Sequence, residues 1–118
     1  MIRLLPLVAA AAFGCVACAG PAERGQTLYA EHGCAVCHGA DGHGNGPSAT
    51  RLDLPPRDFA DPRAYRQGSS PIEIARSIRR GAGAMPPFRD ITEEEANEIA
   101  LWIVSRQRSS ESANSPRR

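Results

Sequence analysis

The sequence predicts an all-α fold in which a few short helices alternate with long irregular segments. Two segments carry the capping-box pattern of a helix start, Ser70 with Glu73 and Thr92 with Glu95, and an amphipathic run follows each of them. Glycine and proline crowd residues 39–67, where neither residue type suits the interior of a helix or a strand. The chain of 118 residues is long enough for one small domain.

The N-terminal residues 1–19 have the composition of a secretory signal peptide. Arg3 precedes an apolar run over residues 4–13, and small residues follow it. The run is too short to span a bilayer. Two kinds of processing remain open: ordinary cleavage, which removes both cysteines, or a lipoprotein signal in which Cys15 or Cys18 carries the lipid and tethers the protein to a membrane.

The first helix of the mature chain is predicted from Ala22 to about His32. Leu28 and Tyr29 supply its apolar face, and Gly33 suits the position just after a helix end. This helix leads directly into the motif on which the functional prediction depends.

That motif consists of Cys34 and Cys37, three positions apart, with His38 directly after them. The Cys-x-x-Cys-His spacing is a haem-attachment sequence, because thiols one turn apart can each form a thioether with a porphyrin vinyl group while the imidazole ligates the iron. A dithiol redox pair would need a surrounding βαβ pattern, and structural zinc would need two further ligands. Neither is evident. Cys15 and Cys18 repeat the spacing, but no histidine follows them.

A turn-rich loop follows the motif and contains Gly39, Gly42, Gly44 and Gly46. It follows no predicted strand, and no Lys-Ser/Thr pair closes it, so a nucleotide-phosphate site is not expected. His32 and His43 lie too near His38 in the sequence to reach the opposite face of a haem, and both are predicted at the surface.

Residues 51–67 contain too many prolines for a helix interior and are predicted to be irregular. We expect them to wrap one edge of the haem, with leucines and Phe59 covering the ring. Arg57 is either near a propionate or solvated.

A helix is predicted from Pro71 to about Arg80, with Pro71 at the favoured first position and an apolar face formed by Ile74, Ala75 and Ile78. The polar face and the segment after it carry four arginines, Arg76, Arg79, Arg80 and Arg89. They form either a basic rim that docks an acidic partner or a solvated face.

Met85 is the only methionine that remains once the signal peptide is removed. Its glycine- and proline-rich surroundings place it in a rigid loop rather than on the apolar face of a helix, where methionine usually fills a core. The last helix is predicted from Thr92 to about Gln107, and the polar residues 109–118 are predicted to be disordered.

Residues Cys34 to His38, the following Gly39 and the Met85 loop together resemble the class I c-type cytochromes, particularly the small bacterial monohaem kind. The resemblance covers about residues 22–107, within a domain that we place at residues 20–108. It implies the cytochrome c fold, with three to five short helices around one covalently bound haem c. It also implies Cys34 and Cys37 as haem thioethers, and His38 and Met85 as axial ligands of the iron.

Three finer expectations come from the same resemblance. The carbonyl of Pro47 is the candidate acceptor for the Nδ1 proton of His38. Gly25 and Tyr29 match the pair at which the first and last helices of the family cross. In the bacterial cytochromes that this chain resembles, haem c is attached outside the cytoplasm. A periplasmic or other extracytoplasmic location therefore agrees with the predicted export.

The expected function is one-electron transport between redox proteins, from an upstream reductase or dehydrogenase to a downstream oxidase or reductase. A subunit of a larger oxidoreductase remains open, as does a haem enzyme or gas sensor if Met85 is not a ligand. A haem-free metal or thiol protein is the third alternative. All 14 basic residues are arginine and the net charge is +1, so no strong attraction to nucleic acid is expected.

Overall fold

The computed structural model describes residues 18–65 and 68–115. Within these ranges the chain is helical and forms no strand, which confirms the all-α prediction. The predicted signal peptide falls almost wholly outside the described residues. The helices are α1 (Pro21–Glu31), α2 (Ala35–His38), α3 (Pro71–Arg80) and α4 (Glu93–Asn114), with short 3-10 turns at Ala49–Arg51 and Pro62–Ala64.

Helices α1 and α4 cross at Gly25. A side chain at Gly25 would collide with the backbone of Glu98 and Ile99, so only glycine permits this approach. One turn further along α1, the ring of Tyr29 packs on Trp102 with 4.4 Å between the ring centroids. The crossing confirms the predicted roles of Gly25 and Tyr29.

A Gly25→Ala variant is therefore expected to lose about 1–3 kcal/mol of unfolding free energy, because the added methyl group forces the two backbones apart. Gln26→Ala is the matched control, since Gln26 is exposed on the same helix and its replacement is expected to change stability by less than about 0.5 kcal/mol. Denaturant unfolding followed by far-UV circular dichroism measures both. Equal stability of the two variants would contradict the close crossing.

The core is formed mainly by α3 and α4. Ile74, Ala75 and Ile78 of α3 are buried, as the apolar pattern predicts, and pack in one cluster with the buried face of α4. Both predicted capping boxes are present. At the second, the backbone N–H of Glu95 donates to the Thr92 hydroxyl at 3.2 Å, which satisfies one of the free donors at the start of α4.

Helix α4 is longer than the sequence analysis predicts. It continues about two turns beyond Gln107, to Asn114, so the expectation of disorder from residue 109 is corrected for residues 109–114. The burial of apolar side chains ends at Val104, which is why the apolar pattern misses the extension. No glycine or proline interrupts the chain before Pro116, and the Ser109 hydroxyl donates to the Ser105 carbonyl within the added turns. None of the described helices has the length and apolar character that a membrane span requires.

Candidate haem-binding site

The predicted attachment motif forms a single helical turn. Cys34 occupies the N-cap of α2, and its carbonyl accepts hydrogen bonds from the backbone of Cys37 at 3.3 Å and of His38 at 3.0 Å. Both thiols are half-buried and free of disulfide bonds. Burial raises the pKa of Cys34 to about 11, so this thiol is protonated near neutral pH. The structure thus brings two thiols and an imidazole together on one turn.

The glycine-rich loop holds this turn in place through its backbone. Successive N–H groups of the loop donate to the last carbonyls of α2: Gly44 to His38 at 2.8 Å, Gly46 to Cys37 at 3.0 Å and Ser48 to Val36 at 2.9 Å. A side chain at Gly46 would collide with the carbonyls of Ala35 and Val36. The loop therefore caps α2, a role that the sequence analysis misses and that the alternating glycines could have indicated.

His38 is oriented by a carbonyl other than the predicted one. Its Nδ1 lies 3.4 Å from the carbonyl oxygen of Arg57, and not against Pro47, so the prediction of Pro47 is wrong. Gly44 explains why Arg57 rather than Pro47 contacts the histidine. Because Gly44 has no side chain, the Pro56 carbonyl approaches it closely, and the neighbouring Arg57 is brought to His38. A carbonyl can only accept, so Nδ1 carries the proton and Nε2 keeps a free lone pair.

Burial also lowers the pKa of His38, which favours the neutral imidazole. Only the neutral ring can donate an Nε2 lone pair to a metal while its Nδ1 holds a proton. The environment of His38 therefore prepares Nε2 as a ligand.

Phe59 has a structural role that the sequence alone does not predict. The contact of Phe59 with the haem ring stays a prediction. In the structure, the Phe59 ring stacks on His38, with 4.7 Å between the centroids and 26° between the ring planes. Its backbone N–H donates to the Gly42 carbonyl at 2.8 Å. Its ring also makes edge contacts with Tyr29 and Trp102. The position of the histidine is thus tied to the crossing of α1 and α4.

Truncation of Phe59 to alanine is expected to cost about 3–5 kcal/mol of unfolding free energy, since the ring is 6 % exposed and packs on several aromatic neighbours. Leu54→Ala is the control in the same irregular segment; Leu54 is 75 % exposed, and its truncation should change stability by less than about 0.5 kcal/mol. Thermal and denaturant unfolding of the two variants test this. A Phe59 variant as stable as the control would show that the aromatic cluster does not support the site.

Met85 lies in a tight turn after α3. The backbones of Ala82 and Met85 exchange two hydrogen bonds, at 3.0 and 3.1 Å, and a side chain at Gly81 would press on the Met85 carbonyl. The Met85 side chain is half-buried and borders the same apolar cluster as Cys34. The turn confirms the predicted loop around Met85, and it holds the thioether at the edge of the core.

The remaining histidines have other surroundings. His43 Nδ1 lies 3.2 Å from an Asp58 carboxylate oxygen at the surface, and His32 is the C-cap residue of α1. In residues 18–65 and 68–115, no group of three His, Cys, Asp or Glu side chains is arranged to hold a metal ion.

The donor set of the site fits a haem c. Two free thiols on one turn match the two attachments to the macrocycle, and the Nε2 of His38 is available beside them as an iron ligand. The Met85 thioether is held in a separate turn, at the border of the core.

Comparison with known proteins decides the family. Residues 20–103 match the family described as cytochrome c oxidase, cbb3-type, subunit III. The chain belongs to the class I c-type cytochromes. This cytochrome accordingly carries one covalently bound haem c, and its general function is haem-based electron transfer.

Two curated relatives are small cytochromes. The chain is 31% identical over 91 residues to cytochrome c-551 of Azotobacter vinelandii, a match that covers 70% of this chain and 98% of the relative. It is 29% identical over 91 residues to cytochrome c-551 of Pseudomonas aeruginosa, which covers 73% of this chain and 80% of the relative.

A solved structure supports the cytochrome c fold. A chain of the reducing HAO-like protein complex of Kuenenia stuttgartiensis superposes with a TM-score of 0.66 at 26% identity. The match covers 73% of this cytochrome and 43% of that chain, so this cytochrome corresponds to less than half of the larger protein.

Proposed function

We propose that this cytochrome is an extracytoplasmic carrier of single electrons, with its haem attached through Cys34 and Cys37 and its iron ligated by His38 and Met85. The observation that carries the proposal is the single turn of α2, which presents two free thiols and a neutral imidazole side by side. When bound, the haem supplies one-electron cycling between Fe(III) and Fe(II).

The chain's own residues attach and orient the group. The Cys34 and Cys37 thiols would hold the haem through thioether bonds to its two vinyl groups. His38 donates its Nε2 lone pair, and the Arg57 carbonyl fixes the ring and makes it more electron-rich by holding the Nδ1 proton. The glycine-rich loop keeps this turn from unwinding through its bonds to the carbonyls of α2.

Iron ligation by Met85 would distinguish an electron carrier from a haem enzyme. A thioether favours the reduced iron and raises the reduction potential relative to a second imidazole. The Met85 thioether would also take the position on the iron that small exogenous ligands would otherwise occupy. The support for this role is the rigid turn between Ala82 and Met85, which fixes the thioether at the border of the core.

The proposed location rests on the sequence of residues 1–19, which has the pattern of an export signal. Mass spectrometry of the mature N-terminus would distinguish simple cleavage from lipid attachment at Cys15 or Cys18. A mature protein that retains residues 1–14 without lipid would contradict the export proposal.

A second candidate function is that of an electron-transfer subunit within a larger oxidoreductase. Two observations favour it: the matched family is described as a subunit of a cbb3-type oxidase, and the superposed structure is part of a multi-subunit complex. Purification from the native membrane or periplasm tests it. A free monomer on size exclusion supports the independent carrier, whereas stable co-purification with larger redox proteins supports the subunit.

The carrier proposal is tested by the visible spectrum of protein expressed with haem-maturation enzymes. We expect sharp α and β bands after reduction and no change when carbon monoxide or cyanide is added to the native protein. Ready binding of either ligand would instead indicate an open iron position, as in a haem enzyme or gas sensor.

A further inference from the structure

One irregular segment, residues 56–60, supplies two of the groups that contact the ring of His38. The Arg57 carbonyl oxygen lies 3.4 Å from Nδ1, and the Phe59 ring stacks on the imidazole with 4.7 Å between the centroids. Neither residue belongs to a helix or a strand, so no repeating hydrogen-bond pattern fixes their positions. The orientation of His38 therefore depends on the contacts that hold the 56–60 segment in place.

The glycine-rich loop holds one side of this segment. The backbone N–H of Phe59 donates to the Gly42 carbonyl at 2.8 Å, and His43 Nδ1 lies 3.2 Å from an Asp58 carboxylate oxygen. The same oxygen accepts from the backbone N–H of Ala60 at 2.9 Å. These contacts engage the N–H of Phe59, and its carbonyl bonds to a different part of the chain.

Tyr65 is the partner of that carbonyl. Its hydroxyl donates to the Phe59 carbonyl at 2.8 Å, so hydrogen bonds on both sides of Phe59 fix its backbone. The Arg57 guanidinium lies over the face of the same tyrosine, 5.0 Å from the ring centroid, where the ring attracts the cation. One side chain thus contacts both of the residues that touch His38.

Tyr65 is itself held by the rest of the fold. It directly follows the turn Pro62–Ala64, where the Asp61 carboxylate accepts from the backbone N–H of Arg63 at 3.0 Å. Its half-buried side chain packs against the hydrophobic core. Burial raises the pKa of Tyr65, against a smaller opposing effect of Gln107 on α4. The phenol therefore keeps the proton that it donates to the 56–60 segment.

We propose that Tyr65 is a positioning residue for the axial histidine: by fixing the Phe59 carbonyl and the Arg57 side chain, it keeps the Arg57 carbonyl at the Nδ1 proton of His38. The proposal rests on the proposed function, because it requires His38 to ligate the haem iron. A hydrogen bond from Nδ1 makes the imidazole a stronger donor, which favours the ferric iron. Loosening the 56–60 segment should weaken that bond and raise the reduction potential.

The test compares Tyr65→Phe with the wild type, both carrying haem. The variant removes the hydroxyl and retains the ring that lies against Arg57. Proton NMR of the reduced protein measures how fast the His38 Nδ1 proton exchanges with solvent, and a redox titration measures the potential. We expect exchange to be about 2–10-fold faster, in line with the loss of one hydrogen bond, and the potential to be higher.

Thr92→Ala is the matched control. It removes the hydroxyl that accepts from the backbone N–H of Glu95 at the start of α4, a single hydrogen bond that involves no residue of the 56–60 segment. Denaturant unfolding shows whether the two variants lose comparable stability. The control should keep the wild-type exchange rate and potential.

A Tyr65→Phe variant with the exchange rate and potential of the wild type would overturn the proposal. Equal changes in Tyr65→Phe and the control would overturn it too, because general destabilisation would then account for them. Tyr65→Leu also removes the ring from Arg57 and should exceed Tyr65→Phe in both measurements. If Tyr65→Leu does not fold, the comparison of Tyr65→Phe with the control still decides.

The haem spectra separate this test from that of the proposed function. If the wild type lacked covalent haem, or if His38→Ala left the visible spectrum unchanged, the proposed function would fail whatever the Tyr65 variants show. Wild-type haem bands together with unchanged exchange in Tyr65→Phe would overturn the positioning role alone.

Discussion

A Met85→Ala variant is expected to retain its covalent haem and to lose the weak near-infrared band that arises from methionine bound to ferric iron. Its reduction potential should fall by on the order of 0.1 V, within the range of about 0.8 V over which axial ligands set haem potentials. The reason is the loss of a thioether that stabilises the reduced iron, and the opened position should then bind carbon monoxide and cyanide.

Pro86→Ala is the matched control, because Pro86 is exposed in the same loop and carries no ligand atom. It should keep the band, and its potential should stay within a few hundredths of a volt of the wild type. Absorption spectra of the oxidised proteins and redox titrations measure both effects. A Met85→Ala variant that kept the band would refute the ligand assignment and leave the carrier proposal without its distal ligand.

The largest effect on folding is expected from the double variant Cys34→Ser, Cys37→Ser. It should carry no covalent haem and should be weakly folded or unfolded. Burial of several hundred Å² of porphyrin contributes on the order of 10 kcal/mol, which is comparable with the whole stability of a small domain. In the chain itself, the side chains of the core come mainly from α3 and α4, with few aromatics.

Haem staining of denaturing gels and far-UV circular dichroism measure this outcome. Val36→Ala is the control, since Val36 lies between the two cysteines and is 47 % exposed; it should mature and fold normally. A double-serine variant that kept the wild-type helical signal and thermal midpoint would show that the polypeptide folds without its attachment to haem.

Local sequence patterns predict the starts of α3 and α4 and the end of α3. The Ser70–Glu73 box and Pro71 set the start of α3, and its end at Arg80 followed by Gly81 agrees with the prediction. The resemblance to the family predicts Gly25 at the helix crossing, because a glycine one turn before an aromatic residue matches the family pattern. These features depend on residues close together in the chain, or on a resemblance that spans both helices.

The features that the sequence did not predict depend mostly on the paths of loops through space. The partner of His38 is a backbone carbonyl, which every residue possesses, so only the three-dimensional route of the chain past Gly44 selects Arg57 over Pro47. The stacking of Phe59 on His38 likewise joins segments that no periodic pattern connects. The extension of α4 to Asn114 buries no further apolar side chain and leaves no trace in the apolar pattern.

The central claim is that a haem is bonded to the two cysteines of α2, and the intact mass of the exported protein tests it most directly. Produced alongside a control cytochrome c that matures normally, the chain should have the mass of its processed polypeptide plus one haem, and should keep that mass in denaturing solvent. A mass equal to that of the bare polypeptide, while the control matures, would contradict the claim.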